Sequence, residues 1–469
     1  YFARCASYMP NRIKSFLTGF LTIRPEDEVP HNVAKNYRHN VTVGTLDLMF
    51  FIFGDSFGSI TTIMPVFAAT LTKSPLLIGL IPAIATFGWY MPQMFLSNYV
   101  SGLRQKHPFA VKMAVVERIP YIFFPLLALL VPGIPKSTAL VLLFILITWR
   151  GLASGMVALP WQEVQASVIP ITHRARFYGF SRVLAQLMGI LSSVLATIFL
   201  SQLPYPQNYA LCFGAAVLAQ WISFYFYSHM REPINEDENS TPTDPTIQAI
   251  DLPAPVEAKP TRKIIDLELF GAILKQDKNF RTYLLGRSVI FLGAMSSGFL
   301  AVYGIQRFNL SDSRAAVFTG LLYFSGIIGY SVGGLLGDKV GPKRIVVASV
   351  LSWAVGMLIA ILARSEWVYY LVFLVFGLNT AGMVLGDSIL VMELGEEKLR
   401  PTYLGMARSL IGVFVLIAPV FAGALVEAFG YNVMFTVCLV LTLLGAAIIS
   451  RVKDVPRRKS GLVQDNAAS

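Results

Sequence analysis

The chain has 469 residues, of which 14% are charged and 55% are hydrophobic, and its mean hydropathy is +0.61. Because a soluble domain carries about 25% charged residues, this composition excludes a set of soluble domains and indicates a membrane protein. The net charge of +11 would suit a nucleic-acid partner. The basic residues, however, lie mostly between apolar runs and do not form one polar domain, so we expect no nucleic-acid binding.

Residues 1–40 are predicted to form a cytoplasmic N-terminal segment. Within it, residues 12–23, RIKSFLTGFLTI, resemble a short amphipathic helix that lies on the membrane surface. Their apolar run is too short for a signal peptide, and no cleavage-site pattern accompanies it. We therefore expect an interfacial helix ahead of the first membrane span.

Twelve apolar runs follow, each of about 20 residues or more, which is the length needed to cross about 30 Å of hydrocarbon. They cover residues 41–70, 76–100, 109–132, 138–165, 177–201 and 208–229, and then 281–306, 315–337, 344–363, 367–392, 402–426 and 431–450. We refer to them in this order as the first to the twelfth span. The sequence thus predicts an all-α membrane protein of twelve transmembrane helices, in two six-helix bundles at 41–230 and 281–450.

A polar linker, 231–280, separates the two predicted bundles. Its first part is rich in Pro and acidic residues, a composition typical of disorder. Its second part, DLELFGAILKQDKNF, carries apolar residues at helical spacing, and we expect a short helix on the cytoplasmic membrane face. A basic cytoplasmic tail, 451–469, follows the last span.

The placement of Lys and Arg orients the predicted spans. Cytoplasmic loops carry an excess of these residues. With both termini in the cytoplasm, the outer loops hold few of the 38 Lys and Arg, namely Lys73, Lys136, Arg307, Arg314 and Arg364. Most of the others fall in the inner segments. We therefore expect both termini to be cytoplasmic.

The loop between the eighth and ninth spans, GGLLGDKVGPKR at 333–344, carries the most specific motif. It resembles the signature loop of the major facilitator superfamily, approximately G-x-L-x-D-R-x-G-R-[KR]. The residues predicted to form this gating loop are Gly334, Asp338, Lys339, Gly341, Lys343 and Arg344. The Asp338 carboxylate is expected to approach the positive N-terminus of the fifth span, near Phe177. The matching loop of the first half has no acidic residue between positions 96 and 108.

This resemblance implies two six-helix bundles with pseudo-twofold symmetry and a solute site near the bilayer midplane. It also implies that the first, fourth, seventh and tenth spans line the cavity, and that the protein acts as a monomer. The segments ERIPY at 117–121 and PWQEV at 160–164 resemble a bacterial branch of the superfamily, which implies the bacterial cytoplasmic (inner) membrane.

Ionisable residues inside predicted spans are candidates for function, because a charge at mid-membrane is costly unless it is paired or hydrated. Asp55 and Arg150 lie about 21 Å and about 18 Å along their spans at 1.5 Å per residue, so both are predicted near the midplane. The predicted proton-coupling set joins them to Glu117, Arg118 and Glu163. One predicted network pairs Glu117 with Arg150 and Arg118 with Glu163. A purely structural net of ion pairs is the alternative.

Other polar and aromatic residues are predicted to shape the substrate cavity. These are Trp89, Tyr90, Trp161, Arg287, Asn379 and Asp387. Asp387 with Arg287 would bridge the tenth and seventh spans, as a substrate contact or, in our preferred interpretation, as an inner gate. For the others, packing within the bundle is the alternative.

The sequence favours transport over catalysis. It contains no GK[ST] phosphate-binding loop and no HExxH metal motif, so we expect no enzyme activity, cofactor or metal. The function we predict is secondary transport of a small solute by alternating access, coupled to protons. A uniporter of the same fold, and a transport-inactive accessory subunit of a membrane complex, are the alternatives.

Overall fold

The computed structural model of the chain describes residues 22–23, 29, 31–233, 267–394 and 400–453. Within this part all regular structure is helical. The predicted interfacial helix at 12–23 falls almost wholly outside the described residues, as do the acidic part of the linker and the tail beyond residue 453. The side chains of Asp338, Lys339 and Arg408 are also outside the described part of the structure.

The first half contains six spans, of which the first is broken. The spans are His31–Phe57 with Ile63–Leu71, Pro75–Ser101, His107–Leu130, Lys136–Val168, Ile171–Gln202 and Gln207–Ser228. The sequence GSITT at 58–62 separates the two parts of the first span, and the Met64 N–H donates to the Ser59 carbonyl at 2.9 Å. Pro65 falls in the first turn of the second part, where its missing N–H leaves no helical bond unmade. The prediction of one continuous helix over 41–70 was therefore wrong.

The second half repeats this arrangement. Its spans are Lys278–Gly293 with Leu300–Phe308, Arg314–Val340, Pro342–Leu362, Glu366–Leu394, Arg400–Phe429 and Tyr431–Ser450. The two parts of the seventh span meet at 41°, through a 3₁₀ turn at Ala294–Gly298. The break falls in the sequence GAMSSG, where Gly and Ser are weak helix formers. The broken first span of each half confirms the pseudo-twofold relation at the level of individual helices.

Helix packing obeys the same symmetry. In the first half the second span packs on the fourth, the first on the sixth, and the third on both the fourth and the sixth. The second half repeats these pairs between the eighth and tenth, seventh and twelfth, and ninth with tenth and twelfth spans. The halves meet where the fifth span packs on the eighth and the second on the eleventh. The predicted fold of two six-helix bundles is thereby confirmed.

The linker ends in a short helix, Leu267–Gln276, close to the position predicted for one. Asp277 then caps the seventh span by accepting a hydrogen bond from the Phe280 N–H at 2.8 Å. The Tyr403 hydroxyl donates to the other Asp277 oxygen at 2.9 Å. This aspartate therefore ties the start of the second bundle to the eleventh span.

Candidate functional site

A central cavity of about 340 Å³ lies between the two halves. Four spans line it, the first and fifth from one half and the eighth and tenth from the other. Its polar lining residues are Asp55, Ser59, Thr61, Gln186, Thr319, Tyr323, Tyr330 and Thr380. The lining is therefore rich in hydroxyl groups, and Asp55 supplies its one carboxylate.

Local breaks and small residues position this lining. Ser59 and Thr61 lie in the break of the first span, where the chain is free of helical geometry. Tyr323 crosses from the eighth span over Gly189 of the fifth, at which a Cβ would come within 2.7 Å of the Tyr323 ring. Only glycine leaves room for this crossing, so Gly189 places the Tyr323 ring beside the cavity.

Asp55 and Arg150 form an ion pair, as their predicted depths implied, between Arg150 Nη2 and Asp55 Oδ1. The Arg150 guanidinium also lies over the Tyr121 ring, 4.9 Å from its centroid. The Asp55 side chain is 25% exposed and that of Arg150 only 10%. Asp55 thus stands between the cavity and the buried arginine. The expectation that both side chains line the cavity was wrong for Arg150.

A second group of charges is sealed inside the first bundle. Arg118 Nη1 pairs with Glu117 Oε2, and the Ser154 hydroxyl donates to Glu117 Oε1. The Arg118 guanidinium also donates to the Ala114 carbonyl at 3.3 Å, so it bends back along its own helix. The predicted pairing of Glu117 with Arg150 was therefore wrong.

The predicted partner of Arg118 was also wrong. Glu163 is exposed and lies 3.7 Å from Lys106, outside the buried group of charges. It lies in the last turns of the fourth span, where water is accessible, whereas Arg118 is only 3% exposed. Glu163 therefore does not belong to the cavity or to the buried charge network.

Asp47 completes the buried group of charges and was not among the predicted site residues. Its Oδ1 accepts a hydrogen bond from the Ser223 hydroxyl at 2.6 Å, and its Oδ2 accepts one from Trp161 Nε1 at 3.1 Å. Arg118 Nη2 donates to the same Ser223 oxygen at 3.3 Å. The signal was available, because Asp47 is an acidic residue within the predicted first span. Trp161 serves this cluster and is not part of the cavity lining.

Within its described residues the second bundle carries a partly buried ion pair. Arg287 Nε and Nη2 donate to the two carboxylate oxygens of Asp387 at 2.7 and 3.0 Å, and the Tyr283 hydroxyl donates to Asp387 Oδ1 at 2.8 Å. This bidentate ion pair joins the seventh and tenth spans as predicted. Tyr90 of the second span lies near enough to Arg287 to interact with its charge.

None of the six residues predicted to shape the substrate cavity is among its described lining residues, and that prediction was wrong also for Tyr90, Trp161, Arg287 and Asp387. Trp89 is 38% exposed and does not line the cavity. Asn379 donates from its side-chain nitrogen to the Ser349 carbonyl at 2.7 Å, which joins the tenth span to the ninth inside one bundle. The hydroxyl-bearing residues that do line the cavity were missed. Composition marks such residues as polar but does not show towards which neighbour a helix turns them.

The gating loop is described in part. Gly341 begins the ninth span at a φ of +90°, a conformation that favours glycine. Lys343 Nζ donates to the Val452 carbonyl at 3.0 Å, and Arg344 is exposed. Of Gly334, Asp338 and Lys339 only the backbone is described, within the helix Arg314–Val340, so the predicted contact of Asp338 lies outside the described residues.

Three hydrogen bonds that join the halves lie towards one end of the molecule. The Tyr209 hydroxyl donates to Asp312 at 2.9 Å, and Ser74 donates to Glu427 at 3.0 Å. Deeper in, the hydroxyls of Thr62 and Thr319 are 2.5 Å apart, and Thr319 also lines the cavity. This end carries the loops predicted to face the outside. The contacts therefore join the two halves on the predicted outer side of the cavity.

A larger apolar groove of about 600 Å³ lies on the surface of the third and fourth spans. Its lining includes Phe144, Trp149 and Leu152, and Trp149 is 37% exposed. Such a surface offers little to orient a polar solute, whereas solute sites combine apolar walls with a few placed polar groups. We assign the functional site to the central cavity.

Comparison with known proteins supports the same family. The family model of the Major Facilitator Superfamily matches residues 283–467. The chain is 27% identical over 162 residues to the gentisate transporter of Corynebacterium glutamicum, covering 33% of this chain and 36% of that protein. It is 25% identical over 166 residues to the fosmidomycin resistance protein of Escherichia coli, covering 34% and 39%. The matches thus span less than two fifths of each relative.

Solved structures show the fold over nearly the whole length. A D-xylose–proton symporter superposes with a TM-score of 0.63 at 15% identity, covering 88% of this chain and 98% of that one. The nucleoside transporter NupG superposes with a TM-score of 0.59 at 13% identity, with the same coverage. These structures confirm the fold that the resemblance of the loop at 333–344 implied.

Proposed function

We propose that this chain, an integral membrane protein with the major facilitator fold, is a secondary transporter that moves a small polar solute by alternating access, coupled to protons at Asp55. The observation that carries the proposal is the position of Asp55. Its carboxylate lines the central cavity and pairs with an arginine that is buried behind it. A solute in the cavity and a proton would therefore both bind at the Asp55 carboxylate.

The coupling follows from the charge of Arg150. An arginine stays protonated in proteins, so the pair is neutral only while Asp55 is ionised. A proton on Asp55 would remove the carboxylate that pairs directly with the guanidinium, which would keep the Tyr121 ring and the electrostatic interaction with Glu117. A buried unpaired charge is costly, so protonation would favour a conformation in which water reaches Arg150. Tyr323, from the other half, lines the same cavity and interacts electrostatically with Asp55.

Alternating access is supported by where the halves touch. The Tyr209–Asp312, Ser74–Glu427 and Thr62–Thr319 contacts close the predicted outer end. Each is a local polar contact between two rigid bundles. Rocking of the halves would break these contacts and open the cavity to the predicted outer side.

The experiment is proton movement driven by solute in proteoliposomes with a pH-sensitive dye inside. D-xylose, D-glucose, uridine and gentisate are the solutes to add, because related transporters are named for them or for their classes. We expect one of them to acidify the lumen in the wild type. Asp55→Asn is expected to abolish this signal while solute exchange continues.

Glu163→Gln is the matched control, since it also neutralises one carboxylate of the first bundle but lies outside the cavity. It is expected to behave like the wild type. Solute flux without proton movement in the wild type would instead indicate a uniporter. Undiminished proton-coupled flux in Asp55→Asn would remove Asp55 as the coupling site. The absence of any flux with a wide solute panel would favour the accessory-subunit alternative, although a cavity of about 340 Å³ supports transport.

We also propose that both termini face the cytoplasm of a bacterial cell and that one chain suffices for transport, since the cavity is complete within it. Lys73 and Arg344 are exposed at opposite ends of the bundles. In intact cells a membrane-impermeant thiol reagent should label Lys73→Cys and spare Arg344→Cys. The reverse labelling would invert the orientation.

A further inference from the structure

The interior of the first bundle holds more negative than positive charge. Asp47, Glu117 and Arg118 are 4%, 2% and 3% exposed, so two carboxyl groups and one guanidinium share a sealed site. Their other hydrogen-bond partners include Ser154, Ser223 and Trp161, all neutral donors. Arg118 can neutralise one carboxylate, which leaves the second without a counter-charge.

The other described groups around the site do not supply that counter-charge. Arg150 is paired with Asp55, which lies eight residues or about 12 Å along the helix from Asp47. The Arg150 charge also interacts with Glu117, but Asp47, Asp55 and Glu117 together still face only two guanidinium groups, those of Arg118 and Arg150. His173 packs against Tyr37, about 15 Å along the same helix from Asp47. The Tyr227 hydroxyl, close enough to interact electrostatically with Asp47, is buried without a hydrogen-bond partner.

An unpaired carboxylate in such a place is strongly disfavoured, because burial penalises the charged form and the group takes up a proton instead. Glu117 contacts Arg118 directly, whereas Asp47 reaches it only through the Ser223 hydroxyl. The ionised form is therefore better stabilised on Glu117 and the neutral acid on Asp47.

We propose that Asp47, Glu117 and Arg118 form a second proton-binding site, separate from Asp55, which holds one proton at neutral pH, chiefly on Asp47. The cavity-lining residues do not include any member of this site. The proton therefore stabilises the packing of the first, third, fourth and sixth spans in the interior of one bundle. The proposal does not depend on transport activity.

Infrared spectroscopy of the purified protein in lipid bilayers tests this at neutral pH. The wild type is expected to show the carbonyl stretch of one buried carboxylic acid, which shifts when aspartate is labelled with ¹³C. Asp47→Asn should abolish the band. Glu117→Gln should abolish it as well, because Arg118 would then neutralise Asp47. Loss of one band by either of two substitutions is the signature of a shared charge balance.

Glu163→Gln is the control, because it neutralises an exposed carboxylate of the first bundle outside the site, and it should leave the band unchanged. All three substitutions are close in shape to the native residue, and monodispersity on gel filtration verifies folding. The absence of the band in the wild type would overturn the proposal. So would its persistence in Asp47→Asn or in Glu117→Gln.

Discussion

The two bundles share one architecture but differ in how they hold buried charge. In the second bundle Arg287 and Asp387 form a balanced pair whose atoms meet at 2.7 and 3.0 Å. In the first bundle the described interior holds Asp47, Asp55 and Glu117 against Arg118 and Arg150. A balanced pair favours one protonation state, whereas an excess carboxyl group requires a proton. The difference is the basis on which we propose proton chemistry in the first bundle and a static link in the second.

The largest expected effect is the loss of Arg118. In Arg118→Leu, Glu117 loses its only direct cation and the first bundle becomes still more negative. Removing one partner of a buried ion pair costs about 3–5 kcal/mol of unfolding free energy. Unfolding by SDS, followed through the reaction of buried Cys212 and Cys438 with a thiol dye, measures this loss.

Arg344→Leu provides the control for that measurement, because Arg344 is exposed and its replacement should change stability by no more than about 0.5 kcal/mol. Equal stability of the two variants would show that Arg118 does not neutralise the first bundle. The contrast between the bundles would then lose its basis.

The next effect concerns the balanced pair. Asp387→Asn leaves the Arg287 charge buried without its partner. We expect a loss of about 2 kcal/mol, below the range for fully buried pairs, because 20% of the Asp387 side chain is exposed. The double variant Arg287→Gln with Asp387→Asn should recover part of this loss in the same SDS titration. A double variant as unstable as the sum of the single ones would contradict a coupled pair.

The ion pair between Asp55 and Arg150 could be predicted from the depth of each residue in its span. The pairing of the charged residues next to it could not. Asp55 and Arg150 lie at similar predicted depths, and an isolated charge in a membrane requires a partner. The pairing of Glu117 with Arg118 was missed, since adjacent residues on a helix point about 100° apart and are not expected to face each other. That rule describes Cβ directions, whereas a long arginine side chain bends back along its own helix to the Ala114 carbonyl.

The cavity lining was still less accessible to sequence reasoning. Thr319, Tyr323 and Thr380 line it because of the rotation of their helices, which is set by packing against neighbours. Gly189 and the break after Phe57 determine which side chains reach the cavity, and both depend on contacts between distant parts of the chain. The fold of two six-helix bundles, in contrast, follows from the apolar runs and was confirmed, whereas the orientation in the membrane stays a prediction.

The outer contacts test whether the two bundles move as separate units. Asp312→Asn weakens the charged hydrogen bond from Tyr209, and such bonds contribute about 1.5 kcal/mol or more. We expect roughly a tenfold rise in the outward-open population, since about 1.4 kcal/mol corresponds to a factor of ten. Spin labels at Lys73→Cys and Arg364→Cys, one in each half, report the distance across the outer side.

Tyr205→Phe is the control for that experiment, because the Tyr205 hydroxyl bonds Thr70 within the same half at 3.5 Å. Its distance distribution should match that of the wild type. An identical shift in both variants would indicate local loosening of the outer loops and not movement between the bundles.

The smallest expected effect is the most direct test of whether the two bundles differ in their buried charge. Asp47→Asn replaces a carboxyl group that we propose to be neutral, so we expect stability within about 1 kcal/mol of the wild type at neutral pH. The folded wild type then binds one more proton than the unfolded chain, and its stability must fall as pH rises. The SDS midpoint should therefore decrease towards alkaline pH in the wild type and stay flatter in Asp47→Asn. Parallel pH profiles would mean that Asp47 is ionised, and that the first bundle is balanced by a cation in the part of the chain outside the described residues.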